Sequence, residues 1–479
     1  MLRARQCSGD RVAPPGGRSS GRIPDPVALA RAISLSSAPA TAATAAELPH
    51  PRVGADVRRL IPGTAALVVM VLAGLAMVLT AAGGADGKVV NASQAGFPRW
   101  MAGAFGAFGA SPSKVRFYVL LLVMAACYFV VLACVRSLSV RLAVGAVVVL
   151  HLLFLLAPPL LSKDIFNYIQ YARLGAVHHL NPYTHGIGAA PFDQAYPYTC
   201  CHHYADPYGP LFTLGTYAIA PLGVPAMLWS LKTVMGLAGL GCVALVWKGA
   251  RLQGRDPLAP ALLVGLNPVW LVLTVGGAHN DLVMELFAVG GIVVWLAGRQ
   301  AAGAATLVVG LATKISSAVV LPFMVLGSDR RLRVLIAAGA TALALFALWL
   351  GVFGTGTLRG FGGAIGQQQE LFSQRSIPQQ LGVLFDLGSR PQGIRVPLTV
   401  LLVGWVLWLL YRTWKGANWI ACAGWATFGV LVTTAWLLPW YVCWLLPLAA
   451  LGEDRRLRIV ALIATVYLIW ARTPVILGG

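Results

Sequence analysis

The stretch Ser162-Lys163-Asp164-Ile165-Phe166-Asn167-Tyr168-Ile169-Gln170-Tyr171-Ala172-Arg173 follows directly on an apolar run ending at Leu161, and it closes at Asn181-Pro182-Tyr183. An acid at the mouth of a membrane helix, followed by a tyrosine-rich polar segment, points to chemistry at the water interface. In a helix, Asp164, Tyr168 and Tyr171 fall at i, i+4 and i+7 on one face, with Ile165, Ile169 and Ala172 on the face beside it. This predicts one face against lipid and the other presenting a carboxylate and phenols to a polar ligand.

The elements that must position these residues are membrane helices. The chain is 58% hydrophobic and 11% charged, whereas a soluble chain carries about twice that charged fraction. Repeated apolar runs of about 20 residues make it a polytopic, all-α membrane protein. The net charge of +20 sits in short clusters between apolar runs: Arg58 and Arg59, Arg136 and Arg141, Lys248 with Arg251 and Arg255, Arg299, Arg330 with Arg331 and Arg333, Arg412 with Lys415, and Arg455 with Arg456 and Arg458. That pattern marks cytoplasmic loops and argues against a nucleic-acid surface.

Residues 1–56 read as a disordered basic cytoplasmic tail with no signal-peptide core, and 57–479 as one transmembrane domain. Spans are expected at 60–82, 115–135, 140–161, 226–246, 258–275, 282–297, 334–353, 396–411, two within 419–451, and 457–476. Residues 211–223 read as re-entrant or interfacial. Residues 302–326 read as two half-spans around Lys314, giving 11 to 13 membrane segments in all. This topology puts Asp164, the Asp206-Pro207-Tyr208-Gly209-Pro210 turn, the Gly276 to Asp281 turn and Gln374-Arg375-Ser376 on the extracytoplasmic side. The cytoplasmic loops carry no Gly-rich phosphate loop, which disfavours a soluble nucleotide substrate.

The run from Ser162 to Tyr183, the Tyr208-Gly209-Pro210-Leu211 turn, Asn267-Pro268, Gly277 to Asp281, Lys314, Gln374-Arg375-Ser376 and Pro439-Trp440-Tyr441 resemble polyprenol-phosphate-mannose-dependent mannosyltransferases of the GT-C superfamily. The similarity is to the bacterial alpha-1,6-mannosyltransferases of lipoglycan assembly and to glycosyltransferase family 87. It implies a GT-C helical bundle in the bacterial inner membrane with its site in extracytoplasmic loops. It further implies a polyprenyl-phosphate sugar donor, a glycan or glycolipid acceptor, and Asp164 as the catalytic carboxylate. Many GT-C enzymes carry two adjacent acids at this point. Here Lys163 precedes Asp164 and the next acid is Asp193, so a divalent cation is left open.

Transfer of a hexose, here mannose, from a sugar phosphate to an alcohol needs a base for the hydroxyl proton and cations for the departing phosphate. Asp164 is the candidate base, and a single carboxylate suffices for inversion. The competing reading is an N-cap. Arg173, His279, Lys314 and Arg375 are the phosphate candidates, with Arg173 equally readable as an interface anchor and Lys314 as ion-paired. His279, Asn280 and Asp281 either read sugar hydroxyls or, for Asp281 with Glu285, pair with Lys232. Tyr168, Tyr171, Asn181, Tyr183, Tyr208 and Gln374 complete the expected substrate contacts.

Cys200-Cys201-His202-His203 has weak spacing for zinc. The remaining cysteines of the apolar spans read as packing residues, and Trp436, Trp440, Tyr441 and Trp444 as an interfacial belt, with stacking against a sugar or prenyl chain as the alternative. A secondary transporter or lipid flippase is the alternative function, and it would show internal repeats and helices broken near the midplane.

Overall fold

The computed structural model describes residues 53–84, 89–90, 96–386 and 392–477. Of the expected tail, residues 1–52 lie outside the described residues, and the first helix begins at Val53. Among the described residues every named element is a helix, with one isolated antiparallel bridge between Val90 and Leu160. Among the described residues five helices are long and apolar enough to cross a membrane: Ile61–Ala82, Lys114–Ala133, Ala220–Leu252, Arg331–Phe353 and Gly393–Trp414. The pair Leu258–Gly265 and Val269–Val275, bent by 47°, makes a sixth when taken as one span. Five further apolar helices, Val140–Leu156, Gln300–Leu311, Ile315–Leu326, Trp419–Thr433 and Pro439–Leu451, are shorter. The protein is therefore an all-α, polytopic membrane protein in which length and composition alone mark five or six of the expected segments as spans.

Local chemistry sets several boundaries. The Ser113 hydroxyl accepts the Arg116 amide (3.3 Å) at the start of Lys114–Ala133. The Asn418 carbonyl oxygen accepts the amides of Ile420 and Ala421 (3.0 and 3.1 Å) to start Trp419–Thr433. These side-chain acceptors satisfy amides that the first helical turn leaves without partners.

Two breaks position the polar turns, and both are closed by protein. At Asn267-Pro268 the proline cannot continue the ladder. The Asn267 side chain fills in, accepting the amides of Val269 and Trp270 and donating to the Thr465 hydroxyl (2.9 Å). At 312–313 the carbonyls of Ala312 and Thr313 accept the amides of Leu211 (2.9 Å) and Gly209 (3.0 Å). Unpaired backbone groups are costly at membrane depth, so the Tyr208-Gly209-Pro210 turn docks where they are freed. A Cβ on Gly209 would lie 2.2 Å from the Ala312 oxygen, which only glycine avoids.

The segment around Asp164 forms the helix Asp164–Ala176, with Lys163 at its N-cap position. Asp164 is its first residue, and its own amide is accepted by the Ser162 hydroxyl (3.1 Å). The expected lipid-facing stripe is corrected. Ile165, Phe166, Ile169 and Ala172 are all fully buried, because neighbouring helices and loops enclose this short helix on its apolar side.

Candidate active site

A cavity of about 540 Å³ opens at the start of the Asp164–Ala176 helix. Its wall includes Lys163, Asp164, Asn167 and Tyr171 from that helix and its cap, Cys200, Cys201 and Tyr208 from the following loop, and Lys314 and Ser316 from the helix break. Gln368 closes one side, and Trp436, Trp440, Tyr441, Trp444 and Arg472 come from the last third of the chain. Elements far apart in sequence thus meet around one carboxylate.

Asp164 retains 26% side-chain exposure, and its Oδ2 lies 3.3 Å from Nδ1 of the buried His279. The His279 ring is stacked on Trp440 at 3.6 Å between centroids. The imidazole nitrogens make no aligned hydrogen bond among the described residues, so the ring is placed against the carboxylate by its stacking on Trp440. Burial pushes the Asp164 carboxyl up, but the facing His279, the charge of Lys314 and the Ser162 hydroxyl outweigh it and hold Asp164 below its ordinary value. Such a group is ionised at neutral pH, as a proton acceptor must be.

Lys314 and Asp281 form a closed pair. The ammonium donates to both carboxylate oxygens (2.9 and 2.8 Å), and Trp444 Nε1–H donates to the same carboxylate at 2.7 Å. Tyr441 and Trp444 rings flank the ammonium at 5.5 and 5.8 Å, a favourable seat for a cation. Arg472 is different. Its guanidinium reaches the Leu161 carbonyl and its buried Nε has no partner, so its charge faces the cavity without a neutralising carboxylate among the described ion pairs.

The structure brings Asp164, Tyr171, Tyr208 and Lys314 into the cavity wall. Behind the wall, the Tyr168 hydroxyl donates to Asn280 Oδ1 (3.3 Å), and His279 and Asp281 brace Asp164 and Lys314. Arg173 lies away from it, with Nε 2.9 Å from Asp193. Asn181 bonds the Phe353 carbonyl (2.6 Å) and Thr357 (3.2 Å), and the Tyr183 hydroxyl donates to the Tyr208 carbonyl (3.0 Å). These two tie loops together. Gln374 and Arg375 line a separate cavity that shares Trp436, Leu438 and Arg472 with the first, and the Arg375 guanidinium lies 4.2 Å from the Trp470 ring centroid.

Two expectations are corrected here. Lys232 is completely buried and donates to the carbonyls of Phe154 (3.2 Å) and Gly276 (3.0 Å), pinning the polar turn's entry rather than a carboxylate. The aromatic residues of 436–444 form cavity wall, not an interfacial belt, because Trp440 and Trp444 find partners on the Gly276 to Asp281 turn. Among the described residues no group of three or more His, Cys, Asp or Glu side chains is arranged to hold a metal ion. The Cys200 to His203 run does not assemble one. Arg472 escaped sequence reading because an arginine near a helix end reads as an anchor.

Residues 60–329 match the model of the alpha-(1->6)-mannopyranosyltransferase family's N-terminal domain, and residues 377–475 match that of the MptB C-terminal domain. Alpha-(1->6)-mannopyranosyltransferase A of Mycobacterium tuberculosis is 28% identical over 63% of this chain and 64% of its own length. The protein of that name from Corynebacterium glutamicum is 28% identical over 35% of each chain. A probable alpha-(1->6)-mannopyranosyltransferase of Mycolicibacterium smegmatis is 25% identical over 62% of each. The chain thus spans less than two thirds of the length of these relatives. No solved structure matches it.

Proposed function

The chain belongs to the alpha-(1->6)-mannopyranosyltransferase family, and from that premise we propose that it transfers mannose from a polyprenyl-phosphate donor to an extracytoplasmic glycan or glycolipid. The observation that carries the reading is the wall of one cavity: a partly open carboxylate, Asp164, with Lys163, Lys314 and Arg472 around the same space. A base and cations in one chamber match the two charges that such a transfer develops.

In this mechanism the acceptor hydroxyl gives its proton to Asp164 as its oxygen attacks the anomeric carbon. The bond from that carbon to the lipid-phosphate oxygen breaks on the opposite face, so a β-linked donor yields an α-mannoside. His279 holds the carboxylate in place, and Trp440 holds His279. Arg472, in no ion pair among the described residues, is assigned the departing phosphate, with Lys314 supporting it from its Asp281 seat. The site faces the extracytoplasmic side of the bacterial cell membrane, as the basic loops imply.

The transporter reading gains little from the two helix breaks. The Asn267 break is saturated by its own side chain and the 312–313 break by the Gly209 turn, whereas a translocation pathway needs broken helices that line an ion or substrate route. The test offers purified protein labelled polyprenyl-phosphate mannose, its glucose analogue and GDP-mannose in parallel, with candidate acceptors. Transfer from the lipid-phosphate mannose alone is expected, and transfer from GDP-mannose alone would overturn the donor assignment.

A further inference from the structure

Cys200 and Cys201 stand in the cavity wall close to Asp164, and the mechanism uses neither. Their sulfurs lie 3.1 Å apart, with the Cys201 S–H donating to Cys200. Asn167, one helical turn beyond Asp164, grips Cys200 twice: its Nδ2 donates to the sulfur (3.2 Å) and its Oδ1 accepts the Cys200 amide (3.1 Å). Cys201 is exposed and sits in the left-handed backbone region at φ 61°. The other cysteines among the described residues are buried or half-buried in apolar helices.

We propose that Cys200 and Cys201 form a modification site for small disulfides, which oxidise the pair to a vicinal disulfide and thereby close the cavity wall beside Asp164. The Cys200 sulfur attacks a low-molecular-weight disulfide, breaking its S–S bond and releasing one thiol. The Cys201 sulfur then attacks the mixed disulfide at Cys200 and releases the second thiol. The two protons of the pair leave with those thiols, and the two electrons reduce the incoming disulfide. Nucleophilic attack by Cys200 fits its surroundings. The Cys201 hydrogen bond, against burial and aided by Asn167, holds the Cys200 thiol below its ordinary value, and giving that hydrogen bond pushes Cys201 up.

Adjacent Cα atoms are about 3.8 Å apart, shorter than the roughly 4.4–6.8 Å of ordinary disulfides. The bridge is therefore of the strained, easily reduced kind that reverses, rather than a permanent staple. Closing it shortens the sulfur separation from 3.1 Å to about 2.0 Å in the wall beside Asp164.

The test treats the full-length, reduced protein in detergent with oxidised glutathione and reads peptide masses. The peptide carrying both cysteines should lose two hydrogens, carry no glutathione, resist iodoacetamide and revert with dithiothreitol. Cys201→Ser should stall with glutathione on Cys200. Alkylation of both wild-type thiols after treatment, a stable glutathione adduct on the wild-type pair, or an unmodified Cys200 in Cys201→Ser would each overturn the proposal. These masses do not depend on the transferase reading. Sugar transfer by the oxidised protein, which does, should fall severalfold and recover with dithiothreitol. Unchanged transfer by a fully oxidised sample would remove the coupling to the cavity.

Discussion

The helix Asp164–Ala176 carries a carboxylate contact at each end, and the two are built to opposite standards. At its far end Arg173 Nε donates to both oxygens of Asp193 at 2.9 Å, His178 joins the same carboxylate at 2.6 Å, and the Ala195 amide donates to it at 2.9 Å. The Asp193 side chain is completely enclosed. At its near end Asp164 faces a misaligned imidazole and an open chamber. A saturated carboxylate holds loops together, whereas an unsaturated one has bonding capacity to spend on a ligand. The same contrast separates Lys314, locked to Asp281, from Arg472.

The substitution that strains this contrast hardest is Asp164→Asn, which keeps shape but cannot take a proton at neutral pH. Transfer should drop by about 100-fold or more with little change in thermal unfolding. Near-parental turnover in a linear-rate assay would reduce Asp164 to a helix-start residue. Next in size, Arg472→Ala should raise the donor concentration needed for half-maximal rate by roughly 10 to 150 fold, from a lost charge-assisted contact of about 1.5–3 kcal/mol. Arg375→Ala, outside the cavity, should change it far less, and equal effects of the two would erase the distinction drawn between them.

At the closed end the effect should move from rate to stability. Asp193→Ala leaves Arg173 unpaired and should cost roughly 3 kcal/mol of stability, read by thermal unfolding in detergent, while the folded fraction keeps its donor dependence. A change in donor dependence without loss of stability would reverse the assignment of the two ends.

The last effect concerns pH. Burial pushes the Asp206 carboxyl from 3.8 up to about 7, against hydrogen bonds from Thr213 and the Tyr208 amide. Its folded value is raised, so the folded state binds the proton more tightly than the unfolded chain does. The contribution is full below pH 3.8 and fades as pH rises to about 7. Asp206→Asn should flatten that part of the stability profile, and an unaltered slope would assign it elsewhere.

Much of this was legible in the sequence. Apolar run lengths located the helices, the lone lysine at 314 marked the break, and the helical spacing put Asp164 and Tyr171 on one wall. What stayed hidden was which polar side chains would be used up in mutual contacts. Arg173 and Asp193 lie 20 residues apart, and Trp444 and Asp281 lie 163 apart, so no local periodicity reports either pair. Arg375 looked like a phosphate ligand because its loop was expected on the same side as Asp164, and spacing could not report that its guanidinium would lie over the Trp470 ring in a neighbouring cavity. Trp440 looked interfacial because spacing cannot distinguish a ring facing lipid from one stacked on a histidine.

That stack also bears on how the protein comes into being. His279 is translated long before Trp440, and Asp164 long before Arg472. A nascent chain halted after Phe353, the end of the Arg331–Phe353 helix, would hold the carboxylate without the ring that backs its imidazole neighbour and without the guanidinium opposite. The chamber is completed only when the Arg455–Leu477 helix is in place, so a chain released before that point carries the Asp164 carboxylate in an unfinished wall.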